Sequence, residues 1–173
     1  KDKKFVAEGR LETNGSTWVE CDGNLTGAEA FCRQFLRGKL YLLEKFHYQS
    51  DTFWLPDTFG YSAALPQIMK LADVSYFLTT KLSWNDTNRF PYESFLWKGI
   101  DGSTVTVHFN TIHTWVDDKA VQKRLDDVAD KSESRCLLMA YGFGDGGGGP
   151  SEEMVQRAIH TQYNCKKAEV RHT

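Results

Sequence analysis

Apolar residues along this chain change their period from segment to segment, and each period predicts a different element. Between Ala28 and Phe46 they recur as Phe31, Phe35, Leu42 and Phe46, flanked by Cys32, Leu36, Leu40 and Leu43. That spacing predicts a helix with a stripe wide enough to pack on a sheet. Short β-branched and aromatic runs predict strands over 17–21, 52–55 and 75–79. Asp22-Gly23-Asn24 breaks the first and Pro56-Asp57 the second. Residues 63–71 predict a short helix that tolerates Pro66 near its first turn. Two extended runs, 93–98 and 104–109, meet at Gly99-Ile100-Asp101-Gly102 and predict a hairpin. Val121, Leu125 and Val128 mark another helix. Residues 135–141 form a near-continuous apolar run, as in a strand buried on both faces of a parallel sheet. A final helix over 152–163 places Val155, Ala158, Ile159 and Gln162 on one face, with Glu152 and Glu153 in its first turn.

Strands alternating with helices predict an α/β fold of mostly parallel strands with one hairpin. Neither an internal repeat nor a linker interrupts the 173 residues, which read as one α/β unit. No apolar run approaches the roughly 20 residues of a membrane span. Twenty-one Lys and Arg against 23 Asp and Glu give a net charge of −2, which excludes the basic footprint of a nonspecific nucleic-acid binder. None of the four cysteines forms a C-x-x-C pair. They are expected to be reduced and mostly buried, in a cytoplasmic protein. Asn14, Asn24 and Asn85 open Asn-x-Ser/Thr triplets, but Lys1-Asp2-Lys3-Lys4 is no signal sequence.

In parallel α/β folds ligands bind at the carboxyl ends of strands. Three loops expected there carry an aspartate beside glycine or proline: Asp22, Asp57 and Asp145. Each alone suits a turn former. Converging, they would suit glycosidic hydrolysis, where a retaining pair sits about 5–5.5 Å apart. Aromatics make up 13% of the chain, some beside Asp and Asn as in the stretch from Leu82 to Asn88, which suits stacking on a sugar or base. Metal binding is a second use of such carboxylates, although His108 and His113 are spaced more as structural residues than as ligands. The third reading takes residues 142–147 as the G-x-G-x-x-G of a dinucleotide site, with Glu169 downstream. Against it, Asp145 sets a negative charge where a pyrophosphate must sit. Gly148, Gly149 and Pro150 also delay the helix start.

Three motifs together resemble the glycoside hydrolases of family 38, the α-mannosidases, closest to their cytosolic and bacterial branch. They are Trp54-Leu55-Pro56-Asp57-Thr58-Phe59-Gly60-Tyr61-Ser62-Ala63-Ala64-Leu65-Pro66-Gln67-Ile68, the segment Leu78 to Asn85, and Tyr141-Gly142-Phe143-Gly144-Asp145 running on to Pro150. The resemblance extends over essentially the whole chain. It implies a retaining α-mannosidase acting on α-mannoside glycans, with zinc in the sugar subsite. Asp57 falls at the nucleophile, which is also a zinc ligand, and Asp145 at the general acid/base. Trp18 and Asp22 match one lining segment of the pocket and Lys81 and Trp84 a second, with Tyr61 of the Asp57 motif also expected to bind substrate; Lys81 stands where other branches carry arginine. The family's His-x-Asp motif and its later histidine are absent here. The resemblance therefore implies part of an incomplete (β/α) barrel, with the remaining zinc ligands, earlier strands and downstream domains outside the chain. On its own the chain is expected to be inactive, to hold little zinc, and to associate with itself or with the rest of the parent enzyme. Asp57 and Asp145 are expected to follow neighbouring parallel strands into one cleft, with Asp22 on its rim. A dinucleotide-binding oxidoreductase and a noncatalytic carbohydrate-binding remnant are the alternatives.

Overall fold

The computed structural model describes residues 2–88, 90–109, 115–128, 136–144 and 147–171. Two compact units divide the chain: Lys1–Asn88 with Ser94–Phe109, and Arg89–Glu93 with Asn110–Thr173.

The first unit contains helices α1 (Asp2–Ala7), α2 (Ala28–Phe46) and α3 (Leu65–Leu71), and strands β1 (Thr52–Trp54), β2 (Tyr76–Thr79), β3 (Ser94–Lys98) and β4 (Thr104–Phe109). The strands form one open sheet in the order β1-β2-β4-β3, with β1, β2 and β4 parallel and β3 antiparallel to β4. The mostly parallel α/β reading therefore holds, as does the hairpin: Gly99 N–H donates to Ser103 O at 2.8 Å, and Gly102 takes the positive φ of +91°. Phe53 lies opposite Phe77, and Phe77 opposite Val107, so a buried apolar row crosses the sheet. Helix α2 lays Phe35 and Phe31 edge-on to Phe53, with ring centroids 5.0 and 6.2 Å away. Leu65, Ile68 and Met69 of α3 complete this core.

The predicted bounds of α2 match, but only half of its stripe is covered. Phe31, Phe35 and Gly38 are buried, whereas Leu36, Leu40 and Leu43 remain 56, 44 and 39% exposed, in line with exposed Cys32. Gly38 is required by close approach, because a Cβ there would lie 2.4 Å from Ser16 O. The segment pressed on that glycine is the expected first strand, and it is not one. Residues 16–19 are bends. Trp18 N–H donates to Gln34 O at 3.0 Å and Val19 N–H to Gln34 Oε1 at 3.1 Å, so α2 takes the donors a ladder would have used.

The second unit has α4 (Asp118–Asp127) and α5 (Glu152–Asn164). Asp117 caps α4 by accepting from Ala120 N–H, and Ser151 caps α5 by accepting from Met154 N–H. Val116, Val121 and Ala158 form its core, with Leu125, Met139 and Tyr141 packed against them. Glu93 and Arg124 make a buried two-pronged ion pair. The strand expected over 135–141 is not found among its described residues: 136–140 join no ladder, and only Tyr141 makes a β-bridge. An apolar run supplies burial, but a strand also needs a neighbour to bond.

The four cysteines are not bridged, yet they are not mostly buried: Cys21 is buried and Cys165 half-buried, while Cys32 and Cys136 are exposed. Cys32 is exposed because it lies on the uncovered stripe of α2. Among the described residues no helix is long and apolar enough to cross a membrane.

Candidate active site

Strands β1 and β2 run side by side in the same direction, so their carboxyl ends open onto one edge of the first unit. Pairing continues past the strands. Leu55 N–H donates to Leu78 O at 2.9 Å, and both the N–H and the hydroxyl of Thr80 donate to Pro56 O, at 3.2 and 2.6 Å. The next residue on each side is then fixed opposite the other: Asp57 Oδ1 and Lys81 Nζ stand 2.9 Å apart. A single 3₁₀ turn, Lys81–Ser83, starts the chain away from the sheet there. The Lys81 side chain is only 13% exposed, whereas that of Asp57 is 49% exposed. Lys81 Nζ also lies 5.1 Å from the ring centroids of both Phe59 and Trp84, which meet edge to face at 5.4 Å. A carboxylate and two ring faces thus hold the ammonium from three sides. Both rings are largely exposed, at 57% for Phe59 and 72% for Trp84.

The Asp57 loop is laced to the loop after residue 20. Asp57 N–H donates to Glu20 Oε1 at 2.9 Å, Thr58 Oγ1 to Cys21 O at 3.5 Å, and Ser62 N–H to Gly23 O at 3.0 Å. Gly23 is needed for this approach, since a Cβ there would lie 2.6 Å from Gly60 O. Tyr61 supports the loop from below: its ring packs on Phe77, and its hydroxyl donates to Thr58 O at 2.7 Å and pairs closely with Thr79 Oγ1. Burial pushes the Tyr61 phenol above its ordinary value; the Thr79 bond opposes the shift, and the charges of Asp57 and Glu20 add to it.

The expected site residues therefore divide. Asp57, Lys81 and Trp84 come together, and Tyr61 props them. Asp22 Oδ1 instead accepts the N–H groups of Asn24 and Leu25, at 2.8 and 2.5 Å; those of Leu25 and then Asn24 hold its carboxyl below the usual value. Trp18 turns to α2, its ring edge-on to Tyr41 at 5.3 Å. Asp145 and His113 lie outside the described residues. His108 Nδ1 pairs with Ser94 Oγ at 2.9 Å across the β3–β4 hairpin. Two members were missed as separate candidates, Glu20 and Phe59. Glu20 gave no signal of its own, because its partner is a backbone N–H 37 positions away. Phe59 stood inside the Asp57 motif, and its place two residues after the aspartate was the available hint.

Among the described residues no three His, Cys, Asp or Glu side chains are grouped to hold a metal ion. Asp57 offers one carboxylate, already against Lys81, where zinc takes about four ligands. The described residues alone therefore do not make a zinc site. Beside the glycine loop, Phe143 N–H donates to Gly149 O at 3.2 Å. The N-terminus of α5 carries Glu152 and Glu153, which oppose an incoming pyrophosphate.

A model of the glycosyl hydrolases family 38 N-terminal domain matches residues 2–172. Alpha-mannosidase 2C1 of Homo sapiens is 47% identical over 158 residues, 90% of this chain and 15% of that protein. The alpha-mannosidase of Saccharomyces cerevisiae is 44% identical over 146 residues, 83% of this chain and 14% of that protein. The chain thus spans about one-seventh of the length of these relatives. In structure it is similar to an alpha-mannosidase from Enterococcus faecalis V583, with a TM-score of 0.75 at 21% identity, covering 99% of this chain and 20% of that one. That likeness establishes the shared fold.

Proposed function

This chain belongs to glycosyl hydrolase family 38, and from that premise we propose that it is part of the catalytic domain of an α-mannosidase that cleaves terminal α-mannosides with retention. Asp57 is the nucleophile. Its carboxylate attacks the anomeric carbon as the glycosidic bond breaks, giving a glycosyl ester. Asp145 gives its proton to the departing oxygen, then takes one from the water that releases the sugar. The observation that carries this reading is the setting of Asp57: a half-exposed carboxylate at the carboxyl edge of a parallel sheet, fixed through its N–H and faced by Lys81 at 2.9 Å. Lys81 orients that carboxylate. Trp84 and Phe59 offer exposed ring faces to the sugar's C–H surface.

The zinc implied by the family resemblance would take Asp57 as one ligand and its others from parts of the enzyme beyond this chain, and when bound it would supply positive charge to hold sugar hydroxyls. Without those further ligands the isolated chain is inactive, and with the apolar stripe of α2 bare it is prone to associate. The four unbridged thiols suit a cytoplasmic setting. The test uses the full-length enzyme. Asp57→Asn is expected to remove turnover of every α-mannoside. Asp145→Asn is expected to cost less with a p-nitrophenyl leaving group, which needs little protonation, than with a glycan. Equal losses on both substrates would take the acid role from Asp145.

A further inference from the structure

Glu20 is the one side chain that bonds the backbone of Asp57 itself among the described residues, and it comes from a different loop. The other ties between the two loops run to Thr58 and Ser62, or are steric at Gly23 and Gly60. The Asp57 carboxylate is held at Oδ1 by Lys81, and its main chain at N–H by Glu20. One contact holds the side chain and the other the main chain of the same residue, and together they fix where the carboxylate points. We propose that Glu20 is a positioning residue for the nucleophile: its Oε1 accepts the Asp57 N–H and so sets the line of attack, without touching substrate. The inference rests on Asp57 being the nucleophile. It requires an acceptor oxygen at the reach of a Glu side chain, and it does not require the negative charge.

This separates three variants of the full-length enzyme. Glu20→Gln keeps an acceptor oxygen at the same reach and is expected to hold kcat within about threefold of wild type. Glu20→Asp keeps the charge but falls one methylene short, and Glu20→Ala removes the acceptor. Both are expected to lose about 10- to 100-fold in kcat with KM little changed, the scale of a nucleophile displaced by up to about 1 Å. A second readout is the rate at which a slowly released fluorinated α-mannosyl donor labels Asp57. It is expected to fall in parallel for the Asp and Ala variants and to recover for Gln. Should Glu20→Ala fail to fold, the contrast between Gln and Asp still decides. Gln performing as poorly as Asp would overturn the inference, as would losses confined to KM or a wild-type kcat in Glu20→Asp. Asp57→Asn, run alongside, separates the two levels. If it retains turnover, the nucleophile assignment fails and this inference with it; if it is dead while the Glu20 variants match wild type, only this inference fails.

Discussion

Substituting Gly23 by alanine tests whether the approach of the two loops holds Asp57 in place. The added methyl would lie 2.6 Å from Gly60 O, 3.2 Å from Tyr61 Cδ1 and 3.4 Å from Thr58 Cγ2. An ordinary C···O contact is about 3.3–3.6 Å, so the backbones must part by roughly 0.7 Å or more. The nearest atom is a main-chain oxygen and cannot swing aside as a side chain would. Insertions of this kind cost about 1–3 kcal/mol. The opening strains the Ser62–Gly23 bond and the Glu20–Asp57 bond together, because both bridge the same gap. A shift of that size at the proposed nucleophile is expected to lower kcat/KM by about tenfold or more. The assay is p-nitrophenyl α-mannoside hydrolysis by the full-length enzyme, with thermal melting recorded in parallel. Gly27→Ser is the control, since nothing lies within 4 Å of a Cβ there and serine suits the N-cap of α2. If Gly23→Ala melted and turned over like Gly27→Ser, the lacing of the loops would not position Asp57.

Lys81→Met keeps an unbranched stem between Phe59 and Trp84 but removes the cation, and is expected to lower kcat by about 10- to 100-fold, with Lys81→Arg recovering most of it; equal activity in all three would remove Lys81 from the site. The lowered Asp22 carboxyl contributes stability above the usual carboxylate range, and that contribution is lost as pH falls through its depressed value. The gap in urea midpoint between wild type and Asp22→Ala should therefore be open at neutral pH and close on acidification. The isolated chain is expected to scatter light as an associated species, and a Leu36→Lys, Leu40→Lys double variant to scatter less, because those exposed residues form the bare stripe of α2.

Much of the first unit was legible because its signals are local. Helix α2 announces itself by an unbroken stripe, and the β3–β4 hairpin by a glycine-bounded turn between two alternating runs. The expected strand over 17–21 failed because Gln34 of α2 claims its donors, a competition that strand composition does not record. The run over 135–141 failed for a related reason: burial can be read from apolar residues, pairing cannot. At the site, Asp57 was marked by a strand ending in Pro-Asp, and Lys81 and Trp84 by the resemblance. Asp22 and Trp18 carry the same kind of mark. Yet one closes its own turn and the other packs on a helix, outcomes set by neighbours a few ångströms away. Glu20 was the least legible, because a side chain bonded to a distant backbone N–H leaves no pattern in either segment.

As the proposed nucleophile, Asp57 forms the bond to the sugar. Treating the full-length enzyme with a fluorinated α-mannosyl donor that forms the glycosyl ester quickly and releases it slowly, then mapping its peptides by mass spectrometry, tests this directly. One added sugar mass is expected on the peptide containing Asp57, and none in Asp57→Asn. A label on Glu20 or any other carboxylate, with Asp57 unmodified, would contradict it.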